Sequence, residues 1–287
     1  MAKSSAFNAL AAALLFGAST PLAKILVPQT TPQALAGIFY LGSGLGLGIY
    51  WIGFDREGHS PFEKKSLPWL SGAILFGGIL APLFLFIGVA RTPASTASLL
   101  LNLEAVFTAF LAWTIFKEHI SRRFLAALLF IVAGGVALSW QGSFEWSEFL
   151  GPLAVAAACA SWGVDNNLTR KISHASAPQI TAVKGLAGGA VNLALALLAG
   201  DVLPGLPTTV AALAVGFVGY GLSLVFFVRS LRKLGAARTG AYFATAPFAG
   251  ALGSVVFLGE SLTPPVLMAG ALMAAGLYLQ LTESQGT

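Results

Sequence analysis

The 287-residue chain is 56% hydrophobic and only 9% charged, with a mean hydropathy of +0.82. Soluble domains carry about 25% charged residues, so this composition excludes a water-facing globular surface and reads as a polytopic membrane protein. The net charge of +5 is accordingly assigned to basic loops facing the cytoplasm and not to a nucleic-acid-binding surface.

A spanning helix needs about 20 mostly apolar residues. Ten stretches meet this requirement: 6–26, 33–54, 68–90, 93–115, 122–141, 149–169, 177–199, 207–229, 236–258 and 263–282. The connections are short and often opened by proline, as at Pro28, Pro32, Pro61, Pro93, Pro178, Pro204, Pro207 and Pro264. The first stretch follows Lys3 and has the form of a signal peptide, but it has a counterpart in the second half of the chain and is expected to be kept. Nothing is left over for a soluble domain, and no G-x-x-x-x-G-K-[ST] loop is present, which argues against an ATP-driven pump. With the N-terminus inside, thirteen of the sixteen Lys and Arg face the cytoplasm; Lys24 and Arg91 fall outside and Lys184 lies within a helix. Both termini are therefore expected in the cytoplasm.

The chain repeats itself. Shifting Arg91–Ser121 by 142 residues lays it on Lys233–Thr263, with Ala94 on Ala236, Ala109 on Ala251, Glu118 on Glu260 and Ser121 on Thr263; beyond these, Gly134 falls on Gly276. A shift of 146 lays Phe16-Gly17 on Trp162-Gly163, Lys24 on Arg170 and Pro32-Gln33 on Pro178-Gln179. Helices 1–5 thus correspond to helices 6–10, dividing the chain into repeats 1–143 and 144–287. Five is odd, so the second copy enters the membrane from the opposite side. Inverted repeats of this kind place substrate near the bilayer midplane between the copies. Gly42, Gly44, Gly46 and Gly48 in helix 2, and Gly185 and Gly189 in helix 7, read as close helix packing.

Charges at membrane depth cost roughly 2.5–3.5 kcal/mol on insertion scales, so each needs a reason. Glu104 lies near the middle of helix 4, with Asn102 beside it and Thr108 one turn on. It reads either as a contact for a substrate ammonium or an exchangeable acid, or as a buried carboxyl bonded to a neighbouring helix. Helix 6 carries Ser161, Trp162, Asp165, Asn166 and Thr169 at spacings that share one face. Trp162 is an apolar or cation–π plate, or else a packing aromatic. Asp165 and Lys184 lie at similar depth and are expected to pair. Tyr220, Tyr242 and Phe84, the last beside Pro82, complete the candidate cavity residues. Lys24 is expected to snorkel to the outer interface. Glu118 and Glu260 are read as scaffold, hydrogen-bonding a helix end. Cys159 is alone, so no intrachain disulfide forms. His59, His119 and His174 fall in or beside loops and suggest no metal site. With no H-E-x-x-H or G-x-S-x-G pattern, neither an enzyme nor a cofactor is expected.

The paired motifs Phe116–Ser121 and Leu258–Thr263, each a small-residue and apolar run ending in Glu, together with Phe16-Gly17 and Trp162-Gly163, resemble the EamA-type exporters of the drug/metabolite transporter superfamily. The resemblance implies an all-α membrane protein of ten helices around a central cavity lined mainly by helices 1, 3, 4, 6, 8 and 9. It also implies efflux of metabolites, amino acids prominent among them. The proline common in the family's fourth helices is present as Pro247, while helix 4 has Glu104-Ala105 instead. The resulting expectation is a monomeric bacterial inner-membrane exporter of amino acids or similar small metabolites, working by alternating access. Glu104, Asn102, Trp162 and Asn166 would contact the cargo. The alternative is an exporter of cationic drugs, nucleobases or sugar derivatives. The superfamily's small multidrug members carry a Glu in helix 1; here Ser19, Thr20 and Pro21 occupy that segment.

Overall fold

A computed structural model describes residues 2–54, 64–115, 121–139 and 146–283. The expectations for Arg56, His59, Pro61, Lys117, Glu118 and His119 lie outside the described residues. Within them the chain is all-helical. The first half comprises α1 (Ala2–Leu26), α2 (Pro32–Phe54), α3 (Leu67–Ala73), α4 (Ala81–Arg91), α5 (Ala94–Leu100), α6 (Leu103–Thr114) and α7 (Arg122–Ser139). The second comprises α8 (Trp146–Ile172), α9 (Ala177–Leu198), α10 (Leu206–Val215), α11 (Ser223–Phe243), α12 (Ala246–Leu258) and α13 (Pro264–Glu283). Among the described residues six helical stretches are long and apolar enough to cross a membrane, and Ala246–Leu258 and Pro264–Gln280 are shorter apolar helices. The outward faces of the described helices carry large apolar side chains such as Ile52, Phe54, Leu129, Leu198, Leu206 and Val256. In water such a belt would drive aggregation; in lipid it is the solvated surface.

The repeat is visible in the irregularities. Ile74–Leu80 joins α3 to α4 as a π-helix, and Gly216–Leu222 joins α10 to α11 in the same way. Their first residues are 142 apart, the offset already read from the sequence. A π segment widens the helix and is frequent at functional sites. The fourth helix of each half is broken as well. In the second half the break at Ala244-Thr245 precedes Pro247 in the first turn of α12, where a missing N–H costs nothing. The first half has no proline there. Instead, the amides of Leu101, Asn102, Glu104 and Ala105 each donate to the carbonyl three residues back. With the Glu104 amide turned to Leu101, the Leu100 carbonyl loses its usual partner, and Cys159 donates its thiol there at 3.6 Å and, more distantly, to the Leu101 carbonyl at 3.9 Å. The lone cysteine, read as small core filler, thus also satisfies this break.

Separate helices were expected over 207–229 and 236–258, yet α11 runs on to Phe243. The chain nevertheless turns back within it. Phe227 and Phe243 have ring centroids 4.9 Å apart, whereas a straight α-helix would separate them by about 24 Å.

The dominant packing joins one half of the chain to the other: α2 along α9, α7 along α13, α1 along α11 and α12, α4 and α6 along α8, and α5 along α12. Packing within a half, such as Phe39 on Phe86 at 5.0 Å, is the smaller share. Close approach depends on small residues. A Cβ added to Gly42 would fall 2.1 Å from the Leu213 carbonyl oxygen, and one added to Gly44 would fall 2.3 Å from the Leu186 amide nitrogen. Gly48 has nothing within 4 Å, so of Gly42, Gly44, Gly46 and Gly48, all read as packing positions, this one has no packing role.

One end of the bundle is pinned by polar contacts. Glu260, in the link after α12, accepts hydrogen bonds from the amides of Ala94 and Ser95 (2.8 and 2.9 Å) and from the Ser95 hydroxyl (2.6 Å). It caps the N-terminus of α5 from across the repeat, as expected of a scaffold carboxylate. Lys24 is half-buried. Its ammonium donates to the carbonyls of Val89 and Thr92 at 2.6 and 2.7 Å, where the end of α4 leaves unsatisfied, electron-rich carbonyls.

Candidate functional site

A cavity of about 590 Å³ of empty space, its open mouth included, lies between the two halves. Its walls come from α1 (Phe16), α2 (Tyr40, Ser43), α6 (Glu104), α8 (Trp162, Asp165, Asn166), α9 (Thr181, Lys184, Gly185), the second π segment (Gly219, Tyr220) and α11 (Ser223, Leu224, Phe227, Phe243). Both irregularities of the fold serve this space. The π segment brings Tyr220 into the wall, and the break in the fourth helix puts Glu104 in the first turn of α6. There the positive end of the helix dipole favours a carboxylate.

The Glu104 carboxylate accepts a hydrogen bond from the Asn166 amide at 2.7 Å, and the same amide group donates to the Thr108 hydroxyl at 3.3 Å. Among the described residues no cation pairs with Glu104. Asp165 and Lys184 do pair, both nearly inaccessible. The Lys184 ammonium donates to the two carboxylate oxygens at 2.6 and 2.7 Å and to the Thr169 hydroxyl at 3.2 Å. Thr169 in turn donates to Asp165 at 2.8 Å. Gly77 makes room for this pair, since a Cβ there would lie 2.0 Å from an Asp165 oxygen.

Aromatic rings form much of the remaining wall. Phe16 meets Trp162, Tyr220 and Phe243 at centroid distances of 5.6, 5.5 and 5.5 Å, and Tyr220 meets Tyr40 at 5.4 Å. These are the edge-on and tilted geometries that ring quadrupoles favour. Tyr40 donates its hydroxyl to the Gly77 carbonyl on the first π segment. The result is a space with an aromatic side and a side carrying Glu104, Asn166 and the Asp165–Lys184 pair.

Of the residues singled out by sequence, Glu104, Trp162, Asp165, Asn166 and Tyr220 line this cavity; Asn102, Tyr242 and Phe84 are not among its lining residues. Asn102 is buried at the helix break, donating to the Leu99 carbonyl and touching the Met273 sulfur at 3.5 Å. Phe84 packs against the core, and Tyr242 is half-buried with its carbonyl accepting from Thr245. Helices 2 and 7 contribute walls that the family pattern assigned elsewhere, and helix 3 contributes no lining residue. Tyr40, Ser43 and Thr181 were missed; Ser43 lies three residues from Tyr40 and Thr181 three from Lys184, which puts each on one helix face with that neighbour.

Comparison with known proteins fits this arrangement. The pattern of the EamA-like transporter family matches twice, over residues 3–140 and 149–282. A relative in Methanothermobacter thermautotrophicus, described as an uncharacterized transporter, is 27% identical over 94% of this chain and 84% of its own. One in Salmonella typhimurium, described as a probable amino-acid metabolite efflux pump, is 25% identical over 98% and 96%. A solved crystal structure superposes with a TM-score of 0.73 at 21% identity, covering 96% of this chain and 98% of its own, which shows a shared fold. Two family matches spanning nearly the whole chain, apolar helices of spanning length and a cavity between the halves lead to one conclusion: the chain belongs to the EamA-like transporter family and is a multi-pass membrane transporter, not an enzyme.

Proposed function

We propose that this transporter exports small amine-bearing metabolites, amino acids and their relatives, across the bacterial inner membrane by alternating access. The observation that carries this reading is the Glu104 carboxylate, held by Asn166 at the wall of a cavity between the two repeats and paired with no described cation. A buried carboxylate is costly unless matched, and a substrate ammonium would match it. Ten spans in two inverted repeats, 1–143 and 144–287, with both termini cytoplasmic, agree with the Lys and Arg distribution. The description of the Salmonella typhimurium relative supports the amino-acid class. One chain holding both repeats suffices for a pathway, so a monomer is the working unit.

The test is transport in proteoliposomes loaded with labelled aromatic, aliphatic, acidic and basic amino acids and Thr, with and without a pH gradient. Saturable movement of several of them, reduced at least tenfold by Glu104→Gln, is expected. Movement of none would refute the cargo assignment, and an unchanged rate in Glu104→Gln would remove that residue from the mechanism. A second reading, export of cationic drugs, draws on the aromatic walls. Ethidium efflux from the same vesicles separates the two.

A further inference from the structure

The polar atoms around the cavity are unevenly committed. Lys184 spends its ammonium on Asp165 and Thr169. Asn166 gives its amide group to Glu104 and Thr108. The hydroxyls of Tyr40, Thr181 and Ser223 donate to the carbonyls of Gly77, Ala177 and Ala12. The cationic donor and most of the strong neutral ones are therefore engaged within the protein, whereas the Glu104 carboxylate accepts from one side chain alone. The charged side chains in the walls, Glu104, Asp165 and Lys184, sum to a net formal charge of −1.

A zwitterion brings a carboxylate that needs a cation or several donors, and the cation in the walls, Lys184, is already committed along with the Tyr40, Thr181 and Ser223 hydroxyls. An amine brings only donors and a positive charge. Rings beside the carboxylate, Trp162 and Phe16 among them, attract a cation through their faces and pack an apolar body with their area.

Resting on the export reading above, we propose that the cavity selects monocationic amines with an aromatic or apolar body over the zwitterionic amino acids of the same side chain, with Glu104 as the specificity-determining residue. Lys184, held by Asp165, is withheld from a substrate carboxylate.

The experiment uses three compounds that share a ring, tyramine, tyrosine and 4-hydroxyphenylpropionate, in counterflow with the full-length protein in proteoliposomes. The expected result is saturable tyramine transport at a kcat/KM at least tenfold above that for tyrosine, with the anion excluded. Glu104→Gln, which keeps an oxygen for Asn166, should lower tyramine transport at least tenfold. The wild-type selectivity ratio decides the question even where that variant fails to fold. Tyrosine moving as well as tyramine, or tyramine transport unchanged in a folded Glu104→Gln, overturns the inference. Transport of amino acids without tyramine leaves the export reading standing and overturns this one. Movement of neither amines nor amino acids overturns both.

Discussion

Two carboxylates show how placement divides scaffold from site. Asp165 is matched within the protein by Lys184. Removing one member of a buried pair leaves a stranded charge and costs roughly 3–5 kcal/mol. Lys184→Met should therefore unfold at a markedly lower temperature in detergent, and the double variant Asp165→Leu with Lys184→Met should recover most of the loss. Glu260 is matched by a helix end. Partial burial pushes its carboxyl up, but the Ser95 hydroxyl and amide, the Ala94 amide and the nearby Lys24 ammonium outweigh this and hold it below the usual carboxylate range. A depressed folded-state value stabilises the protein above the unfolded value and ceases to do so as pH falls through the folded one. Glu260→Gln should thus cost about 1 kcal/mol at neutral pH, with the gap to wild type closing below about pH 4. A gap independent of pH in thermal melts would contradict the capping role. Both roles were legible in sequence, because repeat equivalence marked Glu260 as shared scaffold and equal depth paired Asp165 with Lys184. Tyr40, Ser43 and Thr181 were not legible as cavity residues, because isolated hydroxyls on apolar helices read as packing until neighbouring helices fix which face is wet.

At the level of helices, the spans followed from hydropathy, but their interruptions did not. Pro247 announces the break before α12, whereas the break at Leu101-Asn102 has no proline and depends on a distant thiol to donate to its freed Leu100 carbonyl. The π segments likewise leave no local mark, since Ile74–Leu80 and Gly216–Leu222 are ordinary apolar runs with glycines. The glycines of α2 are the clearer signal, and they separate cleanly. Gly44→Ala drives a methyl into the backbone of α9 and should cost about 1–3 kcal/mol or more. Gly48→Ala meets nothing and should be neutral or stabilising by up to about 1 kcal/mol, as alanine favours the helix. Equal melting temperatures for the two variants would contradict the α2–α9 packing.

For the whole molecule, the sequence repeat describes ancestry better than it describes folding units. The principal helix contacts cross between the halves, so residues 1–143 expressed alone should aggregate, and co-expression with 144–287 should recover a monodisperse complex on size-exclusion chromatography. Independent folding of either half would contradict the interlocked packing. This interlocking also explains why the site belongs to neither repeat: Glu104 comes from one and Asn166 from the other. Motion of one half against the other would change that contact directly. The most direct measurement is maleimide labelling of Leu224→Cys, a cavity-lining position, in a Cys159→Ala background in membranes. The labelling rate should fall at least threefold with saturating amino acids or tyramine, while lipid-facing Leu129→Cys should not respond. Labelling of Leu224→Cys at an unchanged rate in the presence of a compound that the vesicles transport would show that cargo does not pass through this cavity.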